Sequence, residues 1–188
     1  MSIPRALDQL QHIQELNRVL LGLLQMRVRD RRGSLGLPAV VREDVALATA
    51  PLLDAVAGFP RALFHVEVAS QLRPTAPDAD FDDAEHDLCL SILFAARHAS
   101  RQSTYQARLL FGLDAVHVDR LCSASLLDLQ QLACTPGVLR CAFRERHWFW
   151  QGLFTATRPE LRRQLTLMAL QPRLAVGWPP RRPPHQTA

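Results

Sequence analysis

Two cysteines and a histidine near residue 140 carry the donor atoms that zinc prefers. Cys134, Cys141 and His147 lie close together in the sequence. A structural zinc site needs four ligands, commonly with two of them in a C-x-x-C pair, and these three residues provide neither. We therefore expect buried thiols and a surface histidine here, and no metal site.

Four titratable side chains open a predicted helix and could bind a metal or act as general acid and base. They are Asp82, Asp83, His86 and Asp87. Acidic residues are also favoured in the first turn of a helix, where they compensate the positive pole of the helix dipole. The simpler interpretation is a helix start with Asp82 or Asp83 as its N-cap.

A third candidate pairs the thiol of Cys122 with the imidazole of His117, as in nucleophilic catalysis. No third group in the sequence is placed to orient the imidazole. There is also no G-x-S-x-G motif, phosphate-binding P-loop or Gly-rich dinucleotide turn, and only 8 glycines are present. We predict a non-enzymatic protein without a cofactor.

The composition is that of an ordinary globular protein. Hydrophobic residues make up 48% of the 188 residues, which allows one large domain or two small ones. No apolar run approaches the roughly 20 residues of a membrane span, and no secretory signal is visible. The four cysteines have no paired spacing, so we expect a cytoplasmic protein with reduced thiols and no membrane insertion.

Positive charge is concentrated toward the end of the chain. All 22 basic residues are arginines, and nine of them follow residue 139, against two glutamates. Arginine forks bind phosphate and carboxylate groups, so this end could attract nucleic acid or an acidic protein surface. The alternative is a solvated face. The arginines predicted to contact DNA or a partner are Arg140, Arg144, Arg146, Arg162 and Arg163.

The segment Arg144–Trp150 places two tryptophans and a phenylalanine beside arginines. These rings could stack on bases or anchor a protein partner, or they could fill the core of a small helical domain. Trp148 and Trp150 cannot share one helical face, so at least one should meet a partner or solvent. Both are included in the predicted contact surface.

The periodicity predicts an all-α fold. Apolar residues recur every three or four positions in a long helix from Pro4 to Asp30, with Gly33 as its C-terminal cap. Short extended segments are predicted near 63–68 and 138–143. The remaining predicted helices are a short one from Pro38 that ends before Pro51, 51–57, a helix from 83 that continues to 111, 116–122, 126–134, and one that opens with the capping box Thr157–Glu160. Asp114 and Ser125 are the candidate N-caps of the helices 116–122 and 126–134.

The sequence pattern predicts a repeat with a period of 76 residues, and the alternative is chance similarity among Leu- and Ala-rich helices. Leu35-Gly36-Leu37 corresponds to Phe111-Gly112-Leu113, and Pro60 corresponds to Pro136. Two copies suit a fused pseudo-dimer in which each copy buries the apolar face of the other. The predicted organisation is a first repeat (1–72), an acidic linker (73–83), a second repeat (84–153), a C-terminal helix (154–171) and a disordered Pro/Arg tail (172–188).

Several segments of the second copy resemble successive elements of FlhD, a subunit of the bacterial flagellar master regulator. They are His86–Arg97, Arg108–Leu113, Leu126–Ala133 and Leu139–Phe143. The first copy is similar in the same order, at Leu10–Ile13, Leu35–Leu37 and Leu63–Val66. Together the two copies cover most of the chain.

The resemblance implies a helical, intertwined dimer that activates transcription with a zinc-bearing partner subunit, FlhC. Cys141 falls where that family carries a cysteine able to bridge protomers. The first copy has His65 at the matching place, so no such bridge forms between the copies. The predicted interface between repeats, or between chains of a further oligomer, contains Leu16, Leu20, Leu24, Ile92, Phe111, Leu113 and Cys141.

These observations favour a transcriptional regulator subunit that acts with an FlhC-like protein, promoter DNA or both. The alternative is a cytoplasmic adaptor or assembly protein of a secretion or motility machine, which would use the same segments as protein contacts.

Overall fold

The chain folds mainly into helices, as the sequence predicts. The computed structural model describes residues 3–67, 82–155 and 159–170, and the side chains of 7–67, 82–155 and 160–169. None of the helices in these ranges is long and apolar enough to cross a membrane. In chain order the elements are α1 (Ile3–Arg29), a 3₁₀ turn (Ala39–Val41), α2 (Arg42–Leu47), α3 (Ala50–Ala57), β1 (Phe64–Val66), α4 (Asp83–Gln102), α5 (Thr104–Phe111), α6 (Ala115–Ser123), α7 (Leu126–Ala133), β2 (Leu139–Cys141), α8 (His147–Thr155) and α9 (Pro159–Leu170).

Helix α1 matches its predicted length but not its predicted cap. Arg31 adopts a left-handed conformation with φ of 57°, and the Arg32 amide donates to the Arg27 carbonyl at 2.8 Å. This bond, from just past the helix end back to its last turn, satisfies a terminal carbonyl before Gly33 is reached. The prediction of Gly33 as the cap is therefore wrong.

Three helices of the second half begin at the predicted caps. Asp82 accepts a hydrogen bond from the Glu85 amide at the start of α4, and Asp114 accepts one from the His117 amide at the start of α6. Ser125 forms a capping box with Asp128 at the start of α7. Each side-chain oxygen satisfies an amide that has no partner within its own helix.

The predicted continuous helix from 83 to 111 is wrong, because it is broken at Ser103. This residue is extended, with φ of −161° and ψ of 114°, and its hydroxyl accepts from the Gln106 amide. A hydroxyl that competes for a backbone amide ends α4 and starts α5. Gly112, with φ of 68°, then ends α5 as predicted.

The last part of the chain contains one helix that periodicity did not indicate, α8. The predicted C-terminal helix is present as its neighbour α9, but Thr157 and Arg158 of the predicted capping box lie outside the described residues. So do most of the predicted linker 73–83 and the whole predicted tail 172–188.

The two extended segments pair with each other as an antiparallel ribbon. The register places His65 opposite Arg140, Phe64 opposite Cys141 and Val66 opposite Leu139. Beyond the strands, the Glu67 amide donates to the Val138 carbonyl at 2.9 Å, and the Ala142 amide donates to the Leu63 carbonyl at 2.8 Å. The ribbon therefore joins two segments that are far apart in sequence.

Both halves of the chain contribute to one hydrophobic core. The side chains of α1 lie in one buried cluster with those of α4, α7, α8 and the ribbon, and α1 packs directly against α2, α3 and α4. All residues of the predicted interface are buried, each with at most 6% of its surface exposed: Leu16, Leu20, Leu24, Ile92, Phe111, Leu113 and Cys141. Whether any of them also serves a contact between chains stays a prediction.

A buried ion-pair network also joins the halves. Arg27 Nη2, at the end of α1, lies 2.7 Å from Glu85 Oε2 and 3.3 Å from Asp82 Oδ2 at the start of α4. Arg32 Nη1 lies 2.9 Å from the same Asp82 oxygen. At the other end, Gln9 Nε2 donates to Gln102 Oε1 at 2.6 Å. Helices α1 and α4 are therefore antiparallel, and polar contacts link them at both ends.

Elements of the two halves recur with the spacing of the sequence repeat. α3 and α7 begin and end 76 positions apart (126 − 50 and 133 − 57). Two positions before these helices, Ala48 and Ala124 have φ of −58° and −59°, and both have ψ of 135°. The glycines of the repeated turn, Gly36 and Gly112, have φ of 78° and 68°.

Candidate functional site

A cavity of about 300 Å³ opens beside the outer face of the β1–β2 ribbon. Alternation along β1 points Phe64 and Val66 into the core and leaves His65 half-buried. Arg140 lies opposite His65 on the second strand. Four arginines from both halves of the chain line this cavity: Arg61, Arg140, Arg144 and Arg146. We call this set the arginine cluster.

Arg61 reaches the cavity from the loop between α3 and β1. Its Nη1 donates a hydrogen bond to the Ala169 carbonyl of α9, and its Cζ lies 5.4 Å from the centre of the Phe143 ring. A cation above an aromatic face is attracted by the ring's electrons. Gly112 leaves room for this side chain, because a Cβ there would lie 2.5 Å from Arg61 Nη2.

The other three arginines come from β2 and the turn after it. Arg140 is half-buried and is anchored by its Nε, which donates to the Gly137 carbonyl at 2.8 Å. Arg144 is exposed and Arg146 half-buried. A guanidinium has five N–H donors in a planar fork, so the bond to Gly137 uses only one of the donors of Arg140.

Negative charge in the cavity wall is smaller than the positive charge. Glu67 and Glu145 are the acidic residues that line the cavity, so four arginines and two glutamates give a net charge of +2 with His65 neutral. His65 Nε2 lies 3.7 Å from Glu67 Oε2. The cavity is therefore a place of positive potential, partly shielded from bulk water.

The predicted contact residues are only partly brought together. Arg140, Arg144 and Arg146 join the arginine cluster, whereas Arg162 and Arg163 lie on α9. Arg162 lines a separate apolar cavity of about 110 Å³ with Phe59 and Leu153.

Trp148 and Trp150 differ in exposure, as their spacing predicted. Trp148 is 44% exposed and Trp150 is completely buried. The indole N–H of Trp150 donates to the Ala142 carbonyl at 2.8 Å. Trp150 therefore fills the core, and its assignment to a contact surface is corrected.

The thiols have no arrangement that activates them. Burial raises the pKa of the Cys141 thiol well above its ordinary range, and burial together with the nearby Glu85 raises the pKa of Cys89 to about 12. A protonated thiol is a poor nucleophile. Cys134, by contrast, is exposed. In the described part of the chain, no three His, Cys, Asp or Glu side chains are grouped to hold a metal.

His117 has a partner that the sequence did not indicate. Its Nδ1 lies 2.6 Å from Asp114 Oδ1. Burial would raise the pKa of the Asp114 carboxyl, but hydrogen bonds from the His117 amide and ring outweigh it and hold this pKa below 3.8. Cys122 is five residues along the same helix, about 140° around its axis, so the two side chains do not form a nucleophile and base pair.

Sequence reasoning missed two features of this region. Arg61 carried no signal, because a lone arginine after a proline is uninformative and its role depends on Gly112 and Phe143. The Arg27–Glu85 pair appeared only as a cationic helix end and an acidic helix start.

Searches of protein-family models, curated proteins and solved structures gave no match to this chain.

Proposed function

We propose that this chain is a non-enzymatic, cytoplasmic transcriptional regulator subunit of the FlhD type, built as a single-chain pseudo-dimer. It acts on DNA together with a partner protein that resembles FlhC. Two sets of observations support the proposal: the internal correspondence of the halves, and the arginine cluster beside the ribbon.

The spacing of matched elements supports a pseudo-dimer. Helices α3 and α7 begin and end 76 positions apart, and Gly36 and Gly112, also 76 positions apart, share a positive φ. The ribbon places the segment 64–66 beside 139–141, which nearly coincides with the segment 76 positions later. In a symmetric dimer a segment that lies on the two-fold axis pairs with its own copy in the same way.

The observation that carries the DNA-binding proposal is the arginine cluster. Arg61 comes from the first half, and Arg140, Arg144 and Arg146 come from the second. Guanidinium forks bind phosphate oxygens in a bidentate geometry. Such contacts supply affinity and position a protein on DNA without reading its sequence. In this proposal a partner subunit contributes the base contacts.

The test is DNA binding by fluorescence anisotropy across a salt series of roughly 50 to 200 mM, with and without a candidate FlhC-like partner. R144Q/R146Q removes two charges from the cluster, and R42Q/R108Q removes two exposed charges outside it. The cluster variant should reduce the salt slope by about 2, because each lost phosphate contact releases roughly one counterion fewer. The control should keep the wild-type slope.

Failure of both the chain and its complex to bind DNA at the lowest salt would overturn the proposal. Equal losses in the cluster and control variants would show that binding depends on net charge and not on this site.

A second candidate is an adaptor or assembly protein of a secretion or motility machine. Large apolar side chains are exposed on several helices, including Leu47 at 74%, Tyr105 at 73% and Leu127 at 62%. Exposed aromatic and aliphatic side chains are common anchors in protein interfaces. Co-purification with a component of such a machine, unchanged by nuclease and lost in L47S/L127S, would favour this candidate.

A further inference from the structure

We infer that the cavity beside the ribbon is a binding site for a small oxyanion, a phosphate or carboxylate group of a free metabolite. This inference goes beyond the proposed function and does not depend on it. It rests on the cavity's shape, the charge of its wall and the way its arginines are held.

The shape favours a small molecule. At about 300 Å³ the cavity is at the lower end of the range of ligand pockets. Its wall includes Arg61 and His65 from the first half, Arg140 and Arg146 from the second, and Ala169 of α9. A phosphate of a DNA backbone needs only a surface contact, whereas a concave site with walls from three parts of the chain encloses a small ligand.

The charge of the wall favours an anion. Arg61 and Arg140 are half-buried, and two further guanidiniums lie at the same cavity. Like charges that converge in partly desolvated surroundings repel each other, and a bound anion offsets this repulsion. The glutamates of the wall, Glu67 and Glu145, are both exposed and neutralise half of the positive charge.

Two of the four arginines are held in place before a ligand arrives. Arg61 is fixed by the Ala169 carbonyl and the Phe143 ring, and Arg140 is fixed by the Gly137 carbonyl. Fixed side chains lose little conformational entropy on binding, which increases affinity. The absence of a Cβ at Gly112 keeps the Arg61 guanidinium close to the backbone of the repeated turn.

The test uses the full chain with inorganic phosphate and citrate as probes, by isothermal titration calorimetry and thermal unfolding. Sodium chloride at matched ionic strength is the blank. We expect saturable binding of at least one probe and a rise in Tm above the chloride blank. R140Q/R146Q should weaken this binding at least tenfold, and R42Q/R108Q should leave it unchanged. R61Q is a further variant, assessed only if its unfolding remains cooperative.

Equal stabilisation by chloride, or equal binding by R140Q/R146Q and wild type, would overturn the inference. A parallel arm measures binding of a short DNA duplex. If the duplex binds through the cluster while neither probe binds, the oxyanion is the DNA backbone phosphate and the inference fails, although the proposed function survives. If phosphate or citrate binds and the duplex binds neither the chain nor its complex with the partner, the inference holds and the proposed function fails.

Discussion

Arg27 Nη2 lies 2.7 Å from Glu85 Oε2, and less than 5% of either side chain is exposed. The pair connects the end of α1 to the start of α4, so it joins the two halves of the chain inside their common core. Loss of one partner leaves the other charge buried without its main counter-ion.

We expect R27M to lower the free energy of unfolding by about 3 to 5 kcal/mol. The double variant R27M/E85L should recover much of that loss, because no charge remains buried. The measurement is urea unfolding followed by circular dichroism. R18A is the matched control. Arg18 Nε lies 2.7 Å from Asp54 Oδ1, but both side chains are more than half exposed. Loss of this pair should therefore lower the free energy of unfolding by only about 0 to 1 kcal/mol. Equal costs for R27M and R18A would contradict this prediction.

Protonation of the Asp82 carboxylate should lower the free energy of unfolding in acid. Burial raises the pKa of its carboxyl, but the Glu85 amide and the Arg27 and Arg32 guanidiniums outweigh burial and hold the pKa below the ordinary 3.8. The unfolded chain then binds the proton more tightly. The contribution of Asp82 is therefore fully present above about pH 3.8 and is lost as the pH falls through the folded-state pKa.

The check is the free energy of unfolding measured at intervals from about pH 2 to 6, for wild type and D82N. D82N should be less stable near pH 6 and should show a shallower decline in acid. The same decline in both proteins would mean that Asp82 does not cause it.

The two matched helices α3 and α7 should respond differently to loss of their N-caps. Ser125 makes a capping box with Asp128, whereas Thr49, 76 positions earlier, makes no side-chain cap bond. We expect S125A to cost about 1 kcal/mol of unfolding free energy and T49A to cost much less. Thermal and urea unfolding of the two variants measure this difference. Equal losses of unfolding free energy in S125A and T49A would contradict the prediction.

The two glycines of the repeated turn provide another matched pair. Both have positive φ, so alanine at either position is strained by about 1 kcal/mol. A Cβ at Gly36 would lie 3.8 Å from Arg144 Cδ, in ordinary contact, but a Cβ at Gly112 would displace Arg61. G112A should therefore destabilise more than G36A and should also weaken phosphate binding. Indistinguishable unfolding and binding curves for the two variants would contradict this account.

Substitution of the two tryptophans should affect the stability of the fold to different extents. W150F removes the buried N–H that donates to Ala142 and leaves that carbonyl without this donor, at a cost of about 1 to 3 kcal/mol. W148F changes an exposed ring, so its stability should stay within about 0.5 kcal/mol of wild type. Differential scanning calorimetry measures the stability of both variants. A larger loss of stability in W148F than in W150F would contradict the assignment of Trp150 as the buried ring.

Local signals in the sequence predicted much of this fold. The apolar spacing of α1, the caps Asp114 and Ser125, and the extended segments at 63–68 and 138–143 depend on neighbours within a few residues. The errors in the helix bounds arose where a local capping bond competes with continued helical periodicity. Ser103 breaks a helix whose periodicity continues on both sides, and Arg31 ends α1 before the more permissive Gly33.

The candidate site was predicted less completely, because residues distant in the sequence determine it. Charge density identified Arg140, Arg144 and Arg146, but not Arg61, which is brought to them by the fold. Aromatic clustering could not distinguish Trp148 from Trp150, because burial depends on the packing of α8 against the core. The organisation into two copies remains a proposal supported by spacing and backbone angles.

The pairing of β1 with β2 has a consequence for synthesis of the chain. The first strand is complete at Val66, but its partner ends at Cys141. At roughly 5 to 20 residues per second, a ribosome needs about 4 to 15 s to add the 75 residues between them. During that interval the backbone edge of β1 lacks its partner strand, although α2 and α3 are already present to pack against α1. The ribbon can form only after residue 141 has been synthesised, so we expect it to be completed late in translation.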